Sequence, residues 1–573
     1  MWCYQRGPIK AVMKRIYAVV LLYLLGLCTA PVMAALDRVG DFALLDSSGE
    51  FHQLSRYRHR KALVLMAYDH SCDAMASLLA NYQSISSKYS DQDVAFLLID
   101  SLGLGRAALL GFETELPILE DDGQLVSETL GIERAGDVLV LNPLRLSLYY
   151  RGPVAGKLDA IVAGVLTNSI EDTEKTSGNG CEIDYPVKTA HQLSAPDYTT
   201  EVAPIIVENC AECHRQGGVG PFALDSYIMV LGWSPMIREV LLNKRMPPTQ
   251  VDPYVGHSEN ARYLSAQELQ TVIHWIDARA PRGDGEFDPL EQLEFEGSMQ
   301  WQIGEPDYIV TGPDNEVAAT GVMDYLYDDI ELPFTEDKWI SAVQYQAGDQ
   351  SVLHHLMTFV TAPGEDFWGA ERQQEAATRR FVEGYAPGVS RAIVYPQGTG
   401  VLIPQGHGLS MQFHYVTNGQ VTIDITRLGL YFSDEPALSE ILSQVVSPRF
   451  VLPPNVHEFA MHAQHLFEEA VVIIGVRARM SYRGKKMKFA VEQADGSLQD
   501  IFSVPAYNYG WQPHYLLQTA VVLPAGSRVH VIGAFDNSSS NPSNPDPAKE
   551  VRFGVESWDE MFTGYLSYYK SAN

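Results

Sequence analysis

The chain has 573 residues, too many for one compact domain, and its 46% hydrophobic and 20% charged content is that of ordinary globular protein. Its formal net charge of −30 excludes a nucleic-acid partner, which needs a basic face, and equally disfavours an anionic membrane surface. Residues 1–34 read as an export signal. Lys10, Lys14 and Arg15 precede an apolar run over 16–28, and Val32 and Ala34 give a small-residue cleavage pattern. The run is shorter than a spanning helix, so no integral membrane span is expected once it is removed. A retained N-terminal anchor is the alternative. Export places the mature chain in the periplasm or beyond. Cys3 and Cys28 then leave with the signal, and Cys72, Cys181, Cys210 and Cys213 remain. An oxidising compartment permits a Cys72–Cys181 disulfide.

Four folded regions follow. Residues 36–176 predict a small α/β domain. Buried-strand runs lie at 62–67, 94–99 and 138–142, with a helical stretch over 74–87 between the first two. Residues 174–180 read as a flexible linker. Residues 194–285 predict an all-α region. Val202, Ile205, Ile206 and Asn209 share one helical face. Ser265 and Glu268 form a capping-box pattern ahead of an apolar stripe at Leu269, Val272, Ile273 and Ile276. Residues 301–434 and 435–573 predict two all-β domains. Met411, Phe413 and Tyr415 alternate with Gln412 and His414, and Asn418-Gly419 leads to a second alternation at Val421, Ile423 and Ile425. This predicts a hairpin.

Cys210-Ala211-Glu212-Cys213-His214 is the most specific motif. Two thiols at this spacing reach two vinyl groups of one porphyrin, and the next histidine meets the iron from the same side. The other reading, a zinc pair, needs two further ligands, and no second such cysteine pair exists. Met246, between Arg245 and two prolines, is the candidate sixth ligand; Met229 and Met236 are its rivals. Further on, His354 and His355 are adjacent on a strand. Neighbouring strand residues point to opposite faces, so both can serve one metal only at a bulge or strand end. His414 lies on the polar side of its strand.

These motifs carry three resemblances. Residues 194–285 resemble a class I cytochrome c domain, which implies haem c held by Cys210, Cys213, His214 and Met246. From Trp301 to Tyr569 the chain resembles the copper type II, ascorbate-dependent monooxygenases, the peptidylglycine hydroxylating type among them. That implies two jelly-roll-like β-sandwich domains, with copper held by His354, His355 and His414 in the first. In the second, the family's His-x-His is matched by Arg479-Met480-Ser481, and its methionine ligand by Met561. A guanidinium and a hydroxyl do not replace two imidazoles on copper. His457, His462 and His465 lie upstream, on another strand. Residues 36–176 resemble the thioredoxin-like redoxins: Asp69-His70-Ser71-Cys72 follows the central strand where an active cysteine belongs, although no CxxC is present. Ala135-Gly136 stands where that family has a cis-proline.

The resemblances together imply an exported haem c and copper redox protein. Its partners would be a small-molecule or peptide substrate and a redox protein. The alternative is a non-enzymatic electron-transfer or copper-binding protein with a monooxygenase-like module.

Overall fold

The structure is a computed structural model. It describes residues 38–571 apart from 113, 171–173, 177, 179, 217, 249–250, 259, 286, 294–299, 366–379, 387–391, 435–438 and 555–557. The export signal, residues 1–34, lies outside the described residues.

The N-terminal region is built on a six-stranded sheet. Its order is Ile118–Leu119, Val94–Asp100, Ala62–Tyr68, Asp137–Asn142, Ser147–Pro153, Glu174–Lys175. Ala62–Tyr68 runs parallel to Val94–Asp100 and antiparallel to Asp137–Asn142. The unbroken apolar run Ala62–Tyr68 is explained by burial on both faces. Val64 and Met66 enter one core with Tyr82, Val138 and Leu158. Leu63 and Leu65 enter the opposite core with Leu97, Leu139 and Leu141. Helix Met75–Lys88 joins the first two long strands. The predicted linker is partly an edge strand, since Glu174 and Lys175 pair with Tyr150 and Arg151.

Residues 186–292 supply the longest helices outside this sheet: Tyr227–Leu242 and Ala266–Asp277. The capping box at Ser265 and Glu268 is formed in both directions. Val202, Ile205 and Ile206 are buried against Trp275 and Val272. Buried Arg106 anchors this region to the first sheet, donating to Glu120 at 2.5 Å and to Asp252 at 2.6 Å.

The rest is β-rich and forms two lobes. The first lobe has a four-stranded sheet, Leu326–Ile330, Gly408–Tyr415, Leu353–Thr361, Phe381–Tyr385. The second has Phe459–Leu466, Arg528–Phe535, Gly484–Glu492, Leu498–Val504. A single nine-stranded sheet serves both lobes, because Thr399–Ile403 of the first pairs in parallel with Ser439–Val446 of the second.

The hairpin expected at Asn418-Gly419 does not form. Thr422–Asp424 pairs with Asn315–Val317, and Gly408–Tyr415 with other strands. The inward residue is polar: fully buried Asp424 accepts from the Tyr415 hydroxyl and the Thr426 hydroxyl, each at 2.8 Å. Ile423 therefore points outward and is 59% exposed.

Candidate redox sites

Cys210 ends a helical stretch whose last turn, Val207–Ala211, is π-helical. The helix ends at Ala211, and the His214 amide donates to the Cys210 carbonyl at 3.0 Å in the turn that follows. His214 Nδ1 lies 3.0 Å from the Phe222 carbonyl. That bond fixes the tautomer with the proton on Nδ1 and leaves Nε2 as the lone-pair nitrogen. Phe222 is itself stacked on Trp233, ring centroids 4.1 Å apart. Gly220 sits so close that a Cβ there would lie 2.7 Å from His214 Nδ1. Both thiols are free and half-buried. Burial pushes Cys210 up to about 12 and raises Cys213 as well, so both are protonated at neutral pH. Met246 is 38% exposed and its rival Met236 42%. The other rival, Met229, is half-buried, so burial does not favour Met246.

In the first lobe the strand Leu353–Thr361 carries a bulge between Leu353 and His355. The bulge breaks the alternation and brings both adjacent histidines to one side, where His414 of the neighbouring strand joins them. The three ring centroids lie 5.0 to 5.2 Å apart. All three imidazoles are buried. Burial, helped by the nearby Arg479 charge, pushes His354 down to about 4 and His355 well below its usual value. His414 is pushed down to about 3 by burial and by His354. The cluster is therefore neutral at physiological pH. His354 Nε2 and His414 Nδ1 are buried with no protein partner. The arrangement is not a preformed cage. His354 Nδ1 and His355 Nδ1 share a hydrogen bond at 2.9 Å, and among the described residues no three His, Cys, Asp or Glu side chains stand ready to hold a metal ion.

The second lobe closes this cluster. Tyr509 shares a 2.8 Å hydrogen bond with His414 Nε2 and stacks on His354 at 4.9 Å. Buried Arg479 reaches across to His355 Nε2 at 3.4 Å, the Gln412 side-chain oxygen at 3.2 Å and the Met357 sulfur. The residue that replaces a family histidine in sequence thus faces the histidines of the other lobe. Met561 is buried beside Glu560. The Ser481 amide, rather than its hydroxyl, is held there, donating to Glu560 at 3.0 Å. His462 and His465 lie on Phe459–Leu466, and His462 pairs with His530 at 2.8 Å.

Two features had no sequence signal. Tyr509 lies in a loop with nothing to mark it but neighbouring aromatics. Glu383 accepts from Arg477 at 3.2 Å and meets His514 Nδ1 at 2.9 Å, while His514 Nε2 meets the Ser567 hydroxyl at 3.0 Å. This buried chain ties the lobes together across strands distant in sequence.

In the first region Cys72 follows the central strand and precedes helix Met75–Lys88, and it is disulfide-bonded to Cys181. The sheet order and helix placement are thioredoxin-like. No protein-family model and no curated protein matches the chain. Solved structures do resemble part of it. A hypothetical protein from Sinorhizobium meliloti is 23% identical, with 26% of this chain and 94% of that one covered at a TM-score of 0.23. The exposed lipoprotein thioredoxin of Streptococcus pneumoniae is 19% identical, with 22% and 99% covered and a TM-score of 0.20. A thioredoxin-like protein from Aeropyrum pernix is 13% identical, with 28% and 99% covered and a TM-score of 0.18. Among the described residues no helix is long and apolar enough to cross a membrane.

Proposed function

We propose that the chain is an exported redox protein that carries one haem c at Cys210, Cys213 and His214 and one copper ion at His354, His355 and His414. The observation that carries this reading is the His214 ring, whose Nδ1 is held by the Phe222 carbonyl and whose Nε2 is left for iron. Two free thiols, Cys210 one turn before it and Cys213 next to it, have the sequence spacing for the two vinyl groups of a porphyrin. Met246 is the sixth ligand in this proposal.

The copper assignment is supported by the donor set: three neutral imidazoles on a bulged strand pair, two of them with an orphaned buried nitrogen. Both groups, when bound, exchange single electrons. The protein's own part is to bury and orient. The bulge aims His354 and His355 to one side. Tyr509 holds His414, while the Arg479 guanidinium, 3.4 Å from His355 Nε2, works against a cation at the cluster and must move aside for copper to bind.

Around Met561, among the described residues, no comparable donor set supports a second copper. The non-enzymatic alternative is favoured by Arg479, which occupies the space between the lobes instead of leaving it for substrate. A small-molecule or peptide substrate and a redox partner protein belong to the enzymatic form of the proposal.

The test is haem retention. Protein expressed with a cytochrome c maturation system is denatured and extracted with acidified acetone. Haem absorbance that stays with the polypeptide, and is lost in Cys210→Ala/Cys213→Ala, is the expected result. Complete extraction of haem from the wild type overturns the reading.

A further inference from the structure

The Cys72–Cys181 disulfide spans 109 residues and joins the central strand's end to a segment that lies beyond the predicted α/β domain. That segment is laid down as an added strand. Glu182 bridges Arg134 in antiparallel register. The Ala135 amide donates to the Cys181 carbonyl at 2.9 Å, and the Ile183 amide to the Glu133 carbonyl at 3.0 Å. Arg134 adds side-chain bonds to the Gly180 carbonyl at 3.0 Å and to Glu182 at 2.7 Å. Such pairing is how an extended peptide docks on an exposed backbone edge.

The two sulfurs differ in environment. Cys72 is 4% exposed, whereas Cys181 is exposed. The Cys181 amide donates to Cys72 Sγ at 3.2 Å. Cys72 also lies just ahead of the N-terminus of the 14-residue helix Met75–Lys88. A thiolate on Cys72 therefore meets an N–H donor and the positive end of a helix dipole, while one on Cys181 meets water. Attack by an outside thiolate is directed to the accessible sulfur, and the better-stabilised sulfur leaves.

We propose that Cys72–Cys181 is an exchangeable latch opened by an external dithiol, and that opening it releases the 180–185 strap from the thioredoxin-like sheet. The reductant's first thiolate attacks Cys181 Sγ. A mixed disulfide with Cys181 forms, the Cys72–Cys181 bond breaks, and its electron pair leaves on Cys72 Sγ. The reductant's second thiolate then attacks its own sulfur in the mixed disulfide. This closes the reductant's disulfide and releases the Cys181 thiolate, and each protein thiolate takes up one proton. The partner is a protein or small molecule with two vicinal thiols.

The strap leads directly into helix Pro186–Leu193. There His191 meets His274 at 2.9 Å, and His274 meets Glu128 at 3.0 Å. Release of the strap thus loosens the contact between the thioredoxin-like sheet and the helical region that carries Cys210–His214.

The oxidised full chain is incubated natively for a short time with glutathione, a monothiol that completes the second step only by a slower attack of a second molecule, and quenched in acid for peptide mapping. Glutathione on Cys181 with a free thiol on Cys72 is expected. Dithiothreitol should then free both thiols and raise amide exchange over 180–185 by about tenfold or more. Glutathione found on Cys72, or a disulfide that resists both thiols until the protein is denatured, overturns the proposal. So does unchanged exchange over the strap after both thiols are free. Peptides containing Cys210 and Cys213 are read separately, so the outcome stands apart from haem attachment.

Discussion

The two β lobes share one sheet, yet each buries one polar cluster of a different kind. In the first lobe three imidazoles are buried together, and two of their nitrogens have no protein partner. In the second, His457 Nδ1, Arg477 Nε and Trp511 Nε1 are likewise buried without a partner, but they are scattered, and the polar cluster around Glu560 is paired. Glu560 accepts from the amides of Ser481 and Arg483 and from the Arg483 guanidinium. A fully paired buried network explains itself as structure, whereas orphaned nitrogens in a neutral cluster need something further to offset their lost hydration. The difference is between a cluster of neutral imidazoles and a paired carboxylate–guanidinium network.

The largest expected effect tests that difference directly. Copper added to the purified full chain should saturate at about one equivalent, and His414→Ala should abolish stoichiometric binding. Two tight equivalents would place a second metal in the second lobe and erase the contrast. Next in size is Glu560→Ala. It leaves Arg483, 2% exposed, as a buried charge without its carboxylate, and should cost about 3–5 kcal/mol in urea unfolding. A loss under about 1 kcal/mol would mean that the second lobe's network does not hold its fold.

Acid should act on the first lobe in particular. In the metal-free protein His354 is held down to about 4 and His414 to about 3, chiefly by burial. The unfolded chain takes up protons below about 6.5, which the folded imidazoles refuse. Stability is therefore undiminished above that pH and falls as pH drops through the window, by about 1.4 kcal/mol per pH unit for each histidine. Chemical denaturation from pH 7 to pH 5 checks this. A flat profile would show that the imidazoles are hydrated.

Local patterns were legible in the sequence where neighbours in the chain decide them. The buried strands at 62–67 and 94–99, and the capping box at Ser265, follow from period and spacing alone. The strand argument for His354 and His355 left a bulge or a strand end open, and the pairing with Gly408–Tyr415 shows a bulge. What was not legible depends on distant partners. The Asn418-Gly419 turn signal is real, but Asp424 finds Tyr415, Thr426 and Asp349 and turns the strand to another neighbour. Arg479 reads as a lost ligand in its own lobe. Its contacts with the other lobe come from the way the two sandwiches are joined.

The smallest effect concerns the one hydroxyl that the second lobe sends to the histidines. Tyr509 bonds His414 Nε2 at 2.8 Å and stacks on His354. If the phenol accepts from the ring, the proton is fixed on Nε2 and the orphaned Nδ1 is the nitrogen presented inward. Tyr509→Phe keeps the stack and removes only the oxygen. In the metal-free protein this leaves a buried ring nitrogen without its partner and should cost about 1–2 kcal/mol. On copper, the loss of an orienting partner should weaken affinity by about tenfold to a hundredfold in competition with a chelator. The ordering of these two readouts is informative. Stability lost with affinity unchanged would make Tyr509 a packing contact between lobes, and His414 would be oriented by its own strand. Affinity lost with stability nearly unchanged would mean that the second lobe tunes the histidines of the first.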